Sequence, residues 1–185
     1  MKRRVVVAAA ATAAVGLAAT GVAATAGAAI PKNTIRIVGG EKFKAGEYLK
    51  IDLRFKPRDV TVKSGATVHV DNRTKGEPHT ISFVQKRYLP KSFNVAVEDQ
   101  LLAAHKVDQS NPEAPPGVFV VDNGQPVAPG GVLQADTGFT PTTAGDSAFI
   151  DAGQDFDFKV TAKKGSRLFY FCAIHPWMQG KIKVN

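Results

Sequence analysis

The nine residues YFCAIHPWM, Tyr170–Met178, bring a cysteine, a histidine and a methionine within seven positions of one another. The chain of 185 residues contains one cysteine, two methionines and four histidines, so this combination uses scarce residues. Leu168, Tyr170 and Cys172 alternate along a predicted strand and therefore share one face of it. If Leu168 and Tyr170 face the core, the thiol does as well.

The residues after Cys172 predict a tight loop that returns to the cysteine. His175 follows three positions later and Met178 three positions after that, while Pro176 limits a helical continuation. Such a loop folds the imidazole and the thioether back over the thiol. The three side chains are therefore predicted to converge on one point.

A thiolate, an imidazole and a thioether suit copper, because blue-copper sites combine two histidines and a cysteine with a weak axial methionine. One imidazole is missing from the stretch, and His69, His79 and His105 are the candidates. His79 follows Glu77 and Pro78 at the start of a predicted strand, where a loop end can deliver it to the rim of a sandwich. We therefore predict His79 as the remaining ligand. Zinc is the inorganic alternative, but methionine is a poor zinc ligand and neither Cys₂His₂ nor His₃ can be assembled.

The rest of the chain has the pattern of an all-β protein. Short segments in which apolar and polar residues alternate are separated by Gly, Pro, Asn and Asp. This pattern indicates a sandwich or a barrel. The segment Val97 to Lys106 is the one stretch whose sequence predicts a short helix. The predicted strands are Val60–Val62, Thr67–Val70, Thr80–Val84, Asp155–Thr161, Arg167–Cys172 and Lys181–Val184.

Residues 85–153 differ in character, since they hold seven of the eleven prolines and little sustained alternation. We interpret this region as a long irregular insertion between two core strands, before the strand that carries Cys172.

Three stretches resemble the cupredoxins, and most closely the amicyanin and plastocyanin group of type 1 copper proteins. They are EPHTISFV for the first ligand, YFCAIHPWMQGKIKV for the other three, and FKPRDVTVKSGATVHVDN for the opening strands. The Cys-x2-His-x2-Met spacing is similar to the short ligand loop of the amicyanins. Asn72 stands where a loop asparagine of the family is expected. The resemblance covers 55–84 and 156–184.

The resemblance implies a cupredoxin-like Greek-key β-sandwich with one type 1 copper per chain. Carried over residue by residue, the copper ligands are His79, Cys172, His175 and Met178. Family members often follow the first histidine with an asparagine that braces the cysteine loop, whereas this chain has Thr80 there. The resemblance further implies an electron exit at His175, ringed by Pro176 and Trp177, and a remote exit at Phe171.

The N-terminus predicts export. Lys2, Arg3 and Arg4 precede a run without charge from Val5 to Pro31, the pattern of a signal peptide. We predict cleavage after Ala28 or Ala29, so that residues 1–29 are the signal and 30–185 a single domain in the periplasm, outside the cell or at its envelope. An uncleaved anchor is the alternative, but the run is rich in alanine and glycine and only weakly hydrophobic.

The charge of the chain bears on its partners. Cleavage lowers the basic count from 24 to 21 against 16 acidic residues, and the formal charge from +8 to +5. The basic residues are scattered, without the clustered basic motif of a nucleic-acid module. A basic surface is compatible with an acidic redox partner. We expect a monomer without a membrane span after cleavage.

These features predict an exported carrier of single electrons that is not an enzyme. The alternative is an exported protein for copper delivery or tolerance, although the chain lacks the methionine-rich or histidine-rich tracts of exchangeable sites. Copper oxidases and nitrite reductases need more histidines than the two left over, His69 and His105. A hydrolase is disfavoured because a Cys172–His175 dyad has no evident orienting group.

Overall fold

The computed structural model describes residues 29–91, 118–123, 125–128, 131–138, 140 and 145–185. Within these ranges the chain forms fourteen strands and a single 3-10 turn at Lys86–Tyr88. The strands are β1 Thr34–Val38, β2 Glu41–Lys44, β3 Tyr48–Ile51, β4 Arg54–Lys56, β5 Asp59–Val62, β6 Thr67–Asn72, β7 His79–Val84, β8 Val118–Asp122, β9 Gln125–Pro126, β10 Gln134–Ala135, β11 Ser147–Ile150, β12 Asp155–Val160, β13 Arg167–Phe171 and β14 Gln179–Val184.

Twelve of these strands form two sheets. The five-stranded sheet has the order β10-β12-β6-β1-β4, and the seven-stranded sheet has the order β5-β14-β13-β7-β11-β8-β9. Strands β2 and β3 pair only with each other, as a separate hairpin. The predicted all-β sandwich is confirmed.

Alternation along the strands fills the space between the sheets. Val68 and Val70 of β6 point inward, as do Ile81 and Phe83 of β7. Across the sandwich the ring of Phe83 meets Phe158 edge-on, with 5.6 Å between the ring centroids. Such edge-to-face contacts add to the free energy gained by burying the rings. One continuous core therefore joins the two sheets.

The six predicted strands are confirmed to within a residue or two at each end. The structure adds four strands before β5, and β1 pairs in parallel with β6 at the centre of the five-stranded sheet. Residues 85–153 also contribute strands that the sequence pattern does not predict. β11 lies between β7 and β8 in the seven-stranded sheet, and Leu133 and Ala135 are buried in the core.

A buried carboxylate helps to fix this added region. The side chain of Asp146 accepts hydrogen bonds from the backbone N–H groups of Asn123, Asp136 and Thr137, at 2.8–2.9 Å. One residue thus ties together the ends of β8, β10 and β11.

Several sequence predictions lie outside the described residues: most of the signal segment 1–29, the helix at 97–106 and His105 within it. Among the residues that are described, no helix has the length and apolar character needed to span a bilayer.

Candidate metal centre

Two neighbouring strands place the first two candidate ligands at the same end of the sandwich. His79 is the first residue of β7, and Cys172 directly follows the last residue of β13. Because β7 and β13 are antiparallel neighbours, the start of one lies beside the end of the other. Both side chains are fully buried. The predicted common face of Leu168, Tyr170 and Cys172 is confirmed, since all three lie in the main core.

The loop after Cys172 turns back on itself as its spacing predicts. The N–H of Cys172 donates to the carbonyl of Met178 at 2.9 Å, and the N–H of Met178 donates to the carbonyl of His175 at 2.8 Å. These bonds close the loop before β14 begins at Gln179. His175 is brought over Cys172, and the Met178 side chain is buried in the same core cluster as the cysteine.

Three donor atoms converge at this point. The Nδ1 atoms of His79 and His175 are 3.1 Å apart, and Cys172 Sγ lies 3.7 Å from the first and 3.6 Å from the second. Donors held at about 2.0–2.3 Å from one centre, with angles of about 100–120° between them, lie roughly 3.1–3.7 Å from each other. The three residues therefore fit a single metal ion. Within the described chain they form the one metal-capable group of His, Cys, Asp and Glu.

Burial keeps both imidazoles neutral and able to bind a metal. Burial, together with the smaller effect of the neighbouring His175, lowers the pKa of His79 to about 4. Burial also lowers the pKa of His175, while the carboxylates of Glu77 and Glu41 act in the opposite direction. His79 Nε2 is buried and has no hydrogen-bond partner among the described residues. Nδ1, which lies in the cluster of three donors, is the nitrogen that would bind a metal, and Nε2 would then carry the proton.

Burial disfavours ionisation of the cysteine thiol. Burial raises the pKa of Cys172, and hydrogen bonds from the backbone N–H groups of Thr80, His175 and Ile174 and from the Thr80 side chain oppose that rise. A metal ion supplies the missing stabilisation, since a coordinated thiol is deprotonated. The same N–H groups are already arranged to support the thiolate.

Asn72 fixes the segment that leads into His79. Its side-chain nitrogen lies 3.0 Å from the carbonyl of Glu77, 3.2 Å from that of Ile150 and 3.0 Å from that of Asp151. Its side-chain oxygen accepts the N–H of Thr74 at 3.1 Å and the Thr74 hydroxyl at 2.6 Å. Asn72 therefore holds the 72–77 turn against the end of β11, two residues before His79.

Thr80 braces the cysteine loop in this chain. Its hydroxyl oxygen accepts the N–H of Ala173 at 2.7 Å, and its own N–H points at Cys172 Sγ at 3.3 Å. The position at which the family often has asparagine thus still contacts both Cys172 and the residue after it. The Ser82 hydroxyl donates to Thr80 Oγ1 at 3.0 Å, a contact that sequence reasoning missed although Ser82 alternates with Thr80 along β7.

The rim of the site is formed by His175 and its neighbours. His175 is 7% exposed, and its ring meets that of Trp177 edge-on, with 5.1 Å between centroids. The indole N–H of Trp177 donates to the carbonyl of Leu53 at 3.3 Å. Leu53 follows the last strand of the β2–β3 hairpin, so the base of the hairpin lies near Trp177 at the rim.

Two other predicted features lie elsewhere. His69 points out of the five-stranded sheet, where its Nδ1 is 2.8 Å from Asp157 Oδ1, so it does not join the cluster. Phe171 faces away from Cys172, as predicted, but it is fully buried beneath Tyr88 and Leu89. Phe171 therefore does not itself reach the surface.

Comparison with known families gives one match of direct relevance. Residues 42–185 match the family model for copper binding proteins of the plastocyanin/azurin family. The match covers more than half of the chain and includes all four predicted ligands. A comparison with curated proteins gives no match.

Solved structures similar to the chain include three copper proteins of low sequence identity. Auracyanin A, a blue copper protein from Chloroflexus aurantiacus, is 23% identical over 82% of this chain and 98% of its own, with a TM-score of 0.42. A purple cupredoxin from Nitrosopumilus maritimus is 15% identical over 82% and 98%, with a TM-score of 0.39. Oxidised plastocyanin from Dryopteris crassirhizoma is 17% identical over 82% and 99%, with a TM-score of 0.36.

Proposed function

Since the chain belongs to the plastocyanin/azurin family of copper-binding proteins, we propose that it is an exported one-electron carrier whose copper is held by His79, Cys172, His175 and Met178. Its cofactor is one copper ion per chain. The observation that carries the proposal is the convergence of two imidazole nitrogens and one thiol sulfur within 3.1–3.7 Å of each other.

Copper bound there supplies a Cu(II)/Cu(I) couple. The chain's own contribution is rigidity: His79 and Cys172 are built on adjacent strands, and backbone hydrogen bonds close the loop that carries His175 and Met178. Side chains fixed in this way change little between oxidation states, so the energy of reorganisation is small. Burial of His79 and Cys172 excludes water from the sulfur. His175, at the rim, gives the shortest path for an electron to leave.

The carrier role is proposed in preference to catalysis or copper delivery. His69 is paired with Asp157 on the outside of the five-stranded sheet and supplies no second copper site near the first. Delivery requires an ion that exchanges readily, and the buried cysteine and histidine disfavour exchange. We further propose that residues 1–29 are a cleaved signal and that 30–185 form one domain.

The experiment that tests this function is Cu(II) titration of the mature chain, followed by visible absorption and voltammetry. We expect one equivalent of copper to give an intense blue band that bleaches on reduction and returns on oxidation. A colourless copper complex contradicts the carrier proposal. A blue complex that loses its copper within minutes to a mild chelator favours copper delivery.

We propose an acidic redox partner that docks at the rim. Lys42 and Lys50 lie directly opposite each other in the β2–β3 hairpin, and like charges so placed destabilise a strand pair unless an anion relieves them. Phe43 and Leu49 form the next pair and are 75% and 59% exposed. The hairpin therefore offers cationic groups on one face and apolar groups on the other, and Leu53, which follows it, contacts Trp177.

The steering effect of these lysines is measurable with a small anionic reductant. We expect the double variant Lys42→Glu/Lys50→Glu to slow reduction of the oxidised protein by hexacyanoferrate(II) by about 2- to 10-fold at low salt, since the attraction of the anion is reversed. At about 1 M salt the difference vanishes, because the charges are screened. Stopped-flow absorption of the blue band gives the rate.

The matched control is Lys163→Glu/Lys164→Glu, which makes the same charge change in the turn between β12 and β13, at the opposite end of the sandwich. This variant should slow the reaction far less. Equal effects of the two double variants would show that net charge, and not the hairpin, governs approach to the rim.

A further inference from the structure

Three hydroxyl groups form a buried chain that ends beside the copper cysteine. Ser147 of β11 lies directly opposite Ser82 of β7, and their Oγ atoms are 2.8 Å apart. Ser82 in turn lies 3.0 Å from Thr80 Oγ1. All three side chains are buried, although each is polar. Their hydrogen bonds to one another offset the cost of removing them from water.

The chain reaches Cys172 through Thr80. The Thr80 hydroxyl oxygen accepts the N–H of Ala173, the residue after the cysteine, and the Thr80 backbone N–H points at the sulfur. On the neighbouring strand β13, Phe171 lies directly opposite Ser82. The hydroxyl chain therefore runs beside the segment Phe171–Ala173 that carries the thiolate.

The hydrogen bonds have one consistent direction. A backbone N–H can only donate, so Thr80 Oγ1 must accept from Ala173. Ser82 donates its proton to Thr80, which leaves the Ser82 oxygen free to accept the proton of Ser147. Hydroxyl groups aligned in this way polarise one another, because each donor becomes stronger when its oxygen also accepts.

We propose that the Ser147–Ser82–Thr80 chain tunes the reduction potential of the copper site, with Ser82 and Ser147 as positioning residues that touch neither copper nor its ligands. The inference rests on the proposed function. The hydroxyl chain fixes the Thr80 hydroxyl that accepts the Ala173 N–H, and it thereby holds the Thr80 N–H in place at the sulfur. Donors aimed at the sulfur withdraw electron density from it, and Cu(II) depends on that density more than Cu(I) does. The intact chain therefore raises the potential.

The test uses three variants of the copper-loaded protein, Ser82→Ala, Ser147→Ala and Ser147→Thr. We expect each alanine variant to stay blue and to shift the Cu(II)/Cu(I) equilibrium toward Cu(II) by threefold or more, a fall in potential of about 30 mV or more. The blue band should move to longer wavelength, because the sulfur becomes easier to oxidise. Ser147→Thr keeps the hydroxyl and should restore the wild-type values.

Ser166→Ala, at the far end of the sandwich before β13, is the matched control and should change neither potential nor spectrum. A serine-to-alanine substitution that affects only stability would lower the unfolding midpoint and leave the wavelength of the blue band unchanged. If Ser82→Ala and Ser147→Ala are blue with unchanged potential and band position, the inference is wrong. If Ser82→Ala does not fold, Ser147→Ala alone decides. A wild type without a blue band overturns the proposed function instead.

Discussion

Serine in place of Cys172 is expected to abolish the intense blue band completely while leaving a folded protein. The band requires a thiolate bound to copper, and the chain has no other cysteine that can replace it. A serine hydroxyl is smaller than the thiol and ionises far less readily, so it neither fills the trigonal position nor donates charge to copper. The Thr80 N–H that now faces Sγ at 3.3 Å can bond the new hydroxyl, which limits the loss of stability.

Absorption and electron paramagnetic resonance spectra of the copper-loaded variant give the measurement, and His69→Gln is the matched control. His69 is a histidine outside the cluster, held by Asp157, so its replacement should leave the blue band unchanged. Persistence of the band in Cys172→Ser would show that the band does not arise from a copper thiolate of this chain. Loss of the band in His69→Gln would show that the four proposed ligands do not account for the site.

The candidate site was predictable because most of it is local in sequence. Cys172, His175 and Met178 lie within seven consecutive residues. The alternation of inward and outward side chains before Cys172 determines which way the thiol points. His79 is distant in sequence, but its position at the start of a strand predicts its place at the rim. The structure places it there, beside the end of β13.

Some of the strands that the sequence pattern does not predict depend on distant partners. β1 becomes a strand through parallel pairing with β6, more than thirty residues away, and short segments without a local partner carry little signal. β8 and β9 did offer a signal. Asp122-Asn123-Gly124 is a strong hairpin sequence, and Asn123 has the positive φ of 49° that such a turn favours. The nearby prolines are typical of loops, so the pattern of the whole segment does not predict this hairpin.

The contacts that tune the site are the least predictable from sequence. Ser82 and Ser147 are 65 residues apart, and only the register of β7 against β11 shows that they meet. Thr80 was recognised as a departure from the asparagine common in the family. Its hydroxyl contacts the cysteine loop, and its N–H faces the sulfur. Both contacts depend on how β7 packs beside β13.

Asn72→Ala is expected to lower both the stability and the copper affinity strongly, although Asn72 is not one of the four proposed ligands. It removes the donor to three backbone carbonyls, those of Glu77, Ile150 and Asp151, and the acceptor for Thr74. A buried group left without its partner costs about 1–3 kcal/mol, so a loss of about 3–5 kcal/mol in the free energy of unfolding is expected once partial relaxation is allowed for. The thermal midpoint should fall by roughly 10 °C.

Measuring copper affinity shows whether Asn72 positions His79 or only stabilises the fold. Because the turn it holds leads into His79, we expect Asn72→Ala to weaken copper binding by about 10- to 100-fold, the range for lost supporting contacts of a metal ligand. Asn72→Asp keeps the shape and the acceptor but sets a carboxylate oxygen against the three carbonyls, and should lose at least as much. Asn185→Ala, at the exposed C-terminus, is the control. If Asn72→Ala lowers the midpoint but binds copper as tightly as the wild type, β7 alone positions His79, and the rigidity proposed for the site comes from the sheet and not from the turn.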